Sequence, residues 1–163
     1  MEKIITGQIK MRSGDVMKFE LYPSIAPITV ENFTKLVKSG FYNGLTFHRC
    51  IPGFVIQGGC PQGNGMGGPG WTIKGEFARN GVENPIKHEV GVLSMARAYH
   101  PDSAGSQFFI MVGAAPHLDG SYAAFGKITE NVQVCLDIAE VKTNVRDVPL
   151  TPVIIESITI DGE

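Results

Sequence analysis

Charged residues are scarce and dispersed in this sequence. Asp, Glu, Lys and Arg make up 18% of its 163 residues, the net charge is −2, and no two Lys or Arg residues are adjacent. Strong binding to nucleic acid or to an anionic membrane needs concentrated positive charge, so neither is expected as a partner. The longest apolar runs are too short to cross a bilayer, and no apolar leader follows Met1. We therefore expect neither a membrane span nor a secretory segment.

Metal-binding and disulfide patterns are also missing. The three cysteines, Cys50, Cys60 and Cys135, are odd in number and form no C-x-x-C pair, and the four histidines form no H-x-x-x-H pair. A disulfide framework and a zinc site are therefore disfavoured. We expect no metal and no cofactor, and the cysteine pattern favours a location in the reducing cytoplasm.

Two common motifs of catalysis and cofactor binding are absent or out of context. No G-x-S-x-G occurs, which disfavours a serine nucleophile on an elbow turn. The glycines at 63, 65 and 68 match a dinucleotide fingerprint by letter, but Pro69 and Gly70 follow where a helix would have to begin. Seven of the thirteen residues 58–70 are glycine, so a loop is predicted there.

The hydrophobic pattern predicts one mainly β domain over residues 1–163. Runs with strand length or period-two alternation occur at 4–11, 16–22, 45–51, 53–57, 90–96, 107–112, 123–128 and 153–160. Helical spacing of apolar residues occurs at 27–39, closed by Gly40, and again at 132–139. Because the strands are mostly consecutive, an antiparallel sheet is favoured, closed on itself and with helices over its ends.

Three segments, 47–59, 103–110 and 118–127, have an unusual mixture of residues. Alternation predicts that Phe47 and Arg49 share one face of a strand, and that Gln107 and Phe109 share a face of another. One explanation is an edge strand whose arginine lies along aromatic side chains. The other is a ligand pocket, which combines apolar walls with a few polar groups. The pocket is favoured because two strands show the same combination.

These segments resemble the cyclophilin family of peptidyl-prolyl cis–trans isomerases. The strings Phe-His-Arg-Cys-Ile-Pro-Gly-Phe at 47–54 and Gly-Ser-Gln-Phe-Phe-Ile at 105–110 are specific to it, and the likeness extends from about Gly7 to Ile160. The compact form is similar to bacterial single-domain members. The resemblance implies a closed eight-stranded antiparallel β-barrel capped by two α-helices. It also implies rotation of X–Pro bonds in unfolded or flexible polypeptides, assistance to protein folding, and proline-containing polypeptides as partners. A monomer is expected.

The resemblance also assigns roles to eleven positions. Arg49 matches the catalytic arginine, Gln57 the glutamine that orients it, and Phe54 a wall of the proline pocket beside them. The remaining matches bind substrate as pocket wall, adjoining groove or rim: Val55, Ala96, Arg97, Gln107, Phe109, His117, Leu118 and Tyr122.

Four departures from the family pattern lie near this site. His117 stands where well-known members have a rim tryptophan, Tyr122 where they have histidine, and Arg97 where asparagine is common. The segment 98–104 is one residue longer than in the common eukaryotic form. Because the rim tryptophan is a principal family contact for cyclosporin, weakened cyclosporin binding is expected. The one tryptophan, Trp71, is predicted to be a half-buried packing residue.

Two other functional classes remain open on the sequence. A binding module or holdase would recognise proline segments with little turnover, but it would not require Arg49 and Gln57. A redox-regulated scaffold would use Cys50 and Cys60. Neither explains the pattern as well as an isomerase does.

Overall fold

The computed structural model describes residues 3–162 and contains the eight strands and two α-helices that the sequence predicts. The strands are β1 (Ile5–Met11), β2 (Val16–Leu21), β3 (Phe47–Ile51), β4 (Val55–Gly58), β5 (Val92–Met95), β6 (Phe108–Met111), β7 (Ala124–Glu130) and β8 (Ile155–Ile160). The helices are α1 (Pro27–Lys38) and α2 (Val132–Ala139), and single 3-10 turns occupy Ala78–Asn80 and Pro116–Leu118.

The β1–β2 hairpin follows directly from residue alternation. Met17, Phe19 and Leu21 are buried, whereas Lys18 between them is exposed. Ile9 pairs with Met17 across the ladder, and neither side chain is accessible to solvent. A period of two therefore turns one face of the hairpin into the core.

Helix α1 begins at a proline and is capped by a distant carboxylate. Pro27 fits the first helical position because its missing N–H has no partner there in any helix. The buried Glu76 accepts hydrogen bonds from the backbone N–H of Thr29 at 2.6 Å and of Ile28 at 3.2 Å. A carboxylate at this end also interacts favourably with the helix dipole.

The C-terminal end of α1 is closed by the predicted glycine. Gly40 has φ +76°, a left-handed conformation that glycine adopts without steric cost. Its N–H donates to the Val37 carbonyl, and the N–H of Phe41 donates to the Leu36 carbonyl. These two bonds are the Schellman pattern that ends many helices.

The eight strands form one antiparallel sheet in the order β3-β4-β6-β5-β7-β2-β1-β8. The prediction of a closed barrel is wrong. The sheet curls into a half-barrel, and across residues 3–162 no ladder joins its edge strands β3 and β8. The chain is joined near the start of these two strands by an isolated bridge between Thr46 and Ile154 and by a few backbone hydrogen bonds beside it.

A loop takes the place that a closing strand would need. Beyond the isolated bridge, the N–H of Cys50 in β3 donates to the Asp147 carbonyl at 2.9 Å. The outer edge of β3 is therefore paired with the turn 144–148 instead of with β8. Strand β8 pairs with β1, and its first residue, Ile155, forms backbone hydrogen bonds to the segment before β3, at Gly44 and Leu45.

The central sheet buries both of its faces. Along β6, Phe108 and Ile110 enter the main core, whereas Phe109 and Met111 enter a second, smaller cluster on the opposite face. Both helices contribute to the main core, where Phe33 of α1 is fully buried among aromatic rings. The smaller cluster is the foundation of the pocket described below.

Candidate active site

A pocket of about 520 Å³ lies on the face of the sheet opposite the main core. Strand register explains which side chains reach it. Arg49 of β3 pairs with Gln57 of β4, Gln57 pairs with Phe109 of β6, and Phe109 pairs with Ser94 of β5. Residues that are directly opposite in neighbouring strands point to the same face. One row across four strands therefore carries the arginine, the glutamine and an aromatic floor.

The predicted common face of Phe47 and Arg49 is wrong. The pairing of β3 with β4 shifts between these residues, and Phe47 pairs with Gly58. His48 is thus the extra residue of a β-bulge, which turns Phe47 into the main core and Arg49 into the pocket. At Gly58 a Cβ atom would lie 2.7 Å from the Thr46 carbonyl oxygen, so the bulge leaves room only for glycine.

A chain of side-chain amides connects Arg49 to a neighbouring loop. Arg49 Nη1 donates to Gln57 Oε1 at 3.4 Å, and Gln57 Nε2 donates to Gln107 Oε1 at 3.1 Å. Gln107 Nε2 donates to the carbonyls of Gly65 and Gly67, each at 2.9 Å. The orientation of each amide is therefore set by the next. The pair Gln107 and Phe109 shares a face as predicted, since Gln107 contacts Gln57 beside the Phe109 row.

The predicted pocket walls are apolar and largely buried. Val55, Phe109 and Leu118 have less than a tenth of their surface exposed and pack in the smaller cluster, with Phe54 partly buried against them. The ring of Tyr122 meets Phe109 edge to face at 5.8 Å. Such walls bind an apolar ring and exclude water from the polar groups beside it.

The exposed His117 lies on the rim instead of in the cavity. Its ring stacks on Phe54, with centroids 6.1 Å apart and planes at 24°. It is therefore placed to shield one edge of the pocket. Trp71 is 43% exposed and contacts α1, where its Nε1 donates to Asn32 Oδ1 at 2.8 Å.

Arg97 is bound by the protein's own backbone. Its Nε and Nη2 donate to the Ser121 carbonyl, and Nη1 donates to the carbonyls of Ala98 and Tyr99. The guanidinium also lies 4.6 Å from the centre of the Tyr122 ring. Arg97 thus ties the segment after β5 to the pocket wall, and most of its donors are already used.

Most of the predicted site residues do line one cavity. Nine of the eleven surround it, Gln107 lies in the adjoining groove with Gln57, Ala96 and Arg97, and His117 lies on the rim. Six further lining residues were not predicted: His48, Gly63, Asn64, Gly65, Arg146 and Val148. His48 could have been found by anticipating the bulge. Nothing in the sequence signals the loop residues.

His48 is buried beside Arg49. Its Nδ1 atom has no hydrogen-bond partner within residues 3–162, and the side chain is 6% exposed. Burial, with a smaller effect from the Arg49 charge, lowers the pKa of His48. The histidine is therefore neutral at and above its usual titration range, so that Arg49 has no second cation on its own strand.

A buried histidine supports the aromatic floor from below. The His88 ring stacks against Phe109 at 6.0 Å, its Nδ1 lies 2.9 Å from Asp119 Oδ1, and its Nε2 lies 2.9 Å from Ser94 Oγ. An ionised Asp119 accepts from Nδ1–H, so Nε2 is free to accept from the serine hydroxyl. The neutral His88 ring thus has a hydrogen-bond partner at each nitrogen, and Asp119 and Ser94 are both bonded to it. Because Ser94 is fully buried, this triad is structural and not nucleophilic.

We predict that the protein loses stability as the pH falls from 7 to 5. Burial lowers the pKa of His88 although Asp119 opposes it, and the pKa of His48 is lowered too. Below the unfolded value of about 6.5 the unfolded chain therefore binds more protons than the folded one. Both histidines should therefore lower the free energy of unfolding over this range. Urea unfolding at several pH values measures this pH dependence of the free energy of unfolding.

The histidine ring signals provide the check on this prediction. The His88 ring should titrate below 6.5 when followed by NMR, and His88→Gln should reduce the pH dependence of the unfolding free energy. A protein that becomes more stable between pH 7 and pH 5, or a His88 that titrates above 6.5, contradicts the assignment.

The three cysteines are free and buried. Burial raises the pKa of Cys50 to about 12, which keeps it a thiol. Burial also tends to raise the pKa of Cys60, but backbone N–H groups of the loop outweigh it and lower that pKa. Cys60 Sγ accepts from the Gly67 N–H at 3.2 Å, so the thiol organises the loop that binds Gln107.

In the described part of the chain, no group of three or more His, Cys, Asp or Glu side chains could hold a metal ion. None of the helices among residues 3–162 has both the length and the apolar character that a membrane crossing requires.

Comparison with known proteins identifies the family. Residues 6–160 match the family model described as Cyclophilin type peptidyl-prolyl cis-trans isomerase/CLD. The chain is 55% identical over 128 residues to Peptidyl-prolyl cis-trans isomerase B of Bacillus subtilis, covering 78% of this chain and 86% of that one.

Solved structures extend the agreement to the fold. A cyclophilin type peptidyl-prolyl cis-trans isomerase of Cryptosporidium parvum superposes with a TM-score of 0.89 at 34% identity, over 99% of both chains. A second structure of it, in the presence of the dipeptide Ala-Pro, gives 0.87 at 34% identity over 97% of this chain and 99% of that one. With a match over nearly its whole length, the chain belongs to the cyclophilin family and is a peptidyl-prolyl cis–trans isomerase.

Proposed function

We propose that X–Pro bonds rotate in the pocket between Arg49 and the aromatic floor, with Arg49 stabilising the twisted amide. The observation that carries this proposal is the single row of Arg49, Gln57 and Phe109 across adjacent strands. The row sets a charged donor beside an apolar cavity that can hold a prolyl ring. The Ala-Pro present with the Cryptosporidium relative supports this choice of ligand.

Rotation of a peptide bond needs no covalent chemistry. Its barrier of about 18–20 kcal/mol arises from loss of amide resonance. For X–Pro the cis and trans ground states differ by only about 0.5–1 kcal/mol. The enzyme therefore has to lower only the barrier between them. An acceleration of about 100,000-fold requires about 7 kcal/mol of preferential binding to the twisted amide.

Arg49 can supply a large part of this preference. Twisting localises a lone pair on the prolyl nitrogen, which becomes a hydrogen-bond acceptor. A guanidinium donor to that nitrogen, or to the adjacent prolyl carbonyl, binds more strongly as resonance is lost. Arginine suits the task because it remains charged and presents a planar fork of donors.

Gln57 and Gln107 hold that fork in position. The Gln57 amide accepts from Arg49 at one end and donates to Gln107 at the other, so a flipped amide would lose both bonds. Gln107 is anchored in turn by the carbonyls of Gly65 and Gly67. An oriented donor loses less entropy when it binds the substrate.

The remaining predicted residues bind the substrate. We assign the prolyl ring to the walls of Phe54, Val55, Phe109 and Leu118, and the peptide backbone to the groove at Ala96 and Gln107. Because most donors of Arg97 are bound to carbonyls, its side chain acts as a positioning group for that groove and for Tyr122.

The direct test is exchange of a short Ala–Pro peptide, followed by NMR with the wild type and with Arg49→Ala in parallel. The proposal requires acceleration by the wild type and its near loss in the variant. A binding module would instead show no acceleration to lose. Assistance to protein folding follows from rotation of X–Pro bonds in unfolded chains. The monomeric state and the cytoplasmic location stay predictions.

Cyclosporin should inhibit this protein weakly. The rim position has the exposed His117 in place of a tryptophan, and a buried aromatic anchor at an interface often contributes 2 kcal/mol or more, roughly a thirtyfold effect. His117→Trp should therefore tighten inhibition at least about tenfold. The inhibition constants of both proteins in the exchange assay measure this. Equal constants would show that the rim residue does not limit the affinity.

A further inference from the structure

The pocket has a one-sided charge distribution. Among residues 3–162 its lining contains three arginines, Arg49, Arg97 and Arg146, and no aspartate or glutamate, although the protein as a whole has a net charge of −2. Asp119 is near but is bound to His88 under the floor and does not line the cavity. Low-dielectric walls concentrate such a field at the cavity.

The three arginines differ in what already binds them. Arg97 uses its donors on backbone carbonyls, and Arg49 is oriented by Gln57. Arg146 is exposed, and within residues 3–162 no hydrogen bond or ion pair is found for its side chain. Arg146 is therefore the arginine of the lining whose guanidinium N–H donors are all available to a ligand.

A well-defined turn holds Arg146 at the cavity. Asn144 Oδ1 accepts from the N–H of Arg146 at 2.8 Å and of Val148 at 3.2 Å. Asp147 has φ +64°, and its carbonyl accepts from the N–H of Cys50, the residue after Arg49. The backbone that carries Arg146 is thus bonded directly to the strand that carries Arg49.

The position of this turn indicates which part of a peptide it meets. The groove at Ala96, Arg97 and Gln107 extends from one side of the pocket, and Arg146 and Val148 lie in the lining of the pocket but not in that of the groove. If Arg49 donates near the prolyl nitrogen or carbonyl, and the groove receives the residues before the proline, the residues after the proline pass Arg49 and reach Arg146.

We propose that Arg146 is a specificity-determining residue that binds a carboxylate on the residue following the proline. The preferred substrates are X–Pro–Glu and X–Pro–Asp sequences. This inference rests on the proposed placement of the prolyl ring beside Arg49. An exposed ion pair supplies a preference of about twofold to fivefold over a neutral isostere, and salt weakens it.

The test compares kcat/KM for peptides of sequence Ala–Pro–Glu, Ala–Pro–Gln and Glu–Pro–Gln within one neutral framework. Wild type should prefer Ala–Pro–Glu over Ala–Pro–Gln by about twofold to fivefold at low salt, and addition of 0.5 M NaCl, roughly an order of magnitude above the low-salt buffer, should reduce the ratio. In Arg146→Gln the ratio should fall to about one. Arg12→Gln removes the same charge from the β1–β2 turn and should keep the wild-type ratio.

Each outcome bears on one claim. Equal rates for the Glu and Gln peptides in the wild type, or a preference that persists in Arg146→Gln, overturns the proposal. A preference for Glu–Pro–Gln places the carboxylate before the proline and overturns it as well. A salt-independent ratio shows that charge pairing is not the cause. Arg49→Ala separates this failure from that of the proposed mechanism, since its activity must be lost with every peptide.

Discussion

Replacing Arg49 by alanine is expected to lower kcat/KM for an Ala–Pro peptide by about 100- to 1,000-fold. Removal of one preorganised donor to a developing charge has a cost of this size in other enzymes. Here the donor is charged, is oriented by Gln57 at 3.4 Å, and lies beside apolar walls that exclude competing water. The loss should occur mainly in kcat, because the proline ring still has its apolar pocket.

A matched set of variants isolates the role of the guanidinium. Arg12→Ala removes an arginine from a distant turn and should retain full activity. Arg49→Lys keeps the charge but not the planar fork, so its activity should lie between the wild type and Arg49→Ala. If Arg49→Ala loses less than about tenfold, Arg49 is not the principal donor to the twisted amide.

Phe33→Ala should destabilise the fold by about 3–5 kcal/mol. The Phe33 ring is fully buried in α1 and lies 5.1 to 6.1 Å from the rings of Phe19, Tyr42, Phe108 and Phe125. Truncation leaves a cavity that a close-packed core cannot fill, and edge-to-face ring contacts are lost with it. Urea unfolding followed by fluorescence or circular dichroism measures the change.

Two further variants keep this prediction testable if Phe33→Ala does not fold. Phe33→Leu should retain the fold and lose about 1–2 kcal/mol, since most of the volume remains. Phe41→Ala removes the same side chain from a half-buried position beside Tyr42 and should cost clearly less than Phe33→Ala. Equal costs for Phe33→Ala and Phe41→Ala would contradict the central position of Phe33 in the core.

The strands and helices could be predicted because their patterns are local. The alternation of Met17, Phe19 and Leu21 and the proline and glycine that bound α1 each depend on neighbours a few residues away. Most of the site could be predicted because Arg49, Gln57 and Phe109 lie in segments of recognisable sequence. Their common row adds a physical reason, since register places them side by side.

Other features depend on long-range pairing that no local pattern contains. The bulge at His48 puts Phe47 and Arg49 on opposite faces of the sheet, so strict alternation gives the wrong side for Phe47. The sheet stays open because a turn near Asp147, almost 100 residues away, pairs with the edge of β3. A count of strands cannot anticipate this competition for one edge.

The loop residues of the pocket were missed for the same reason. Arg146 lies in a polar segment without periodicity, and the Asn144 turn and the Cys50 bond place it beside Arg49. The buried ring of His88 likewise joins Ser94 and Asp119 from three separate segments. Only the folded chain shows that these groups are neighbours.

The central claim is that Arg49 binds the twisted amide more strongly than either planar isomer. Exchange spectroscopy on an Ala–Pro peptide separates binding of the twisted amide from binding of the planar isomers. It gives both the rotation rate on the enzyme and the dissociation constants of the two isomers. Arg49→Ala should slow rotation on the enzyme by about 100-fold or more, while the dissociation constants of the two isomers change by less than about fivefold. A variant that binds the peptide far more weakly, yet rotates what it binds at the wild-type rate, would contradict it.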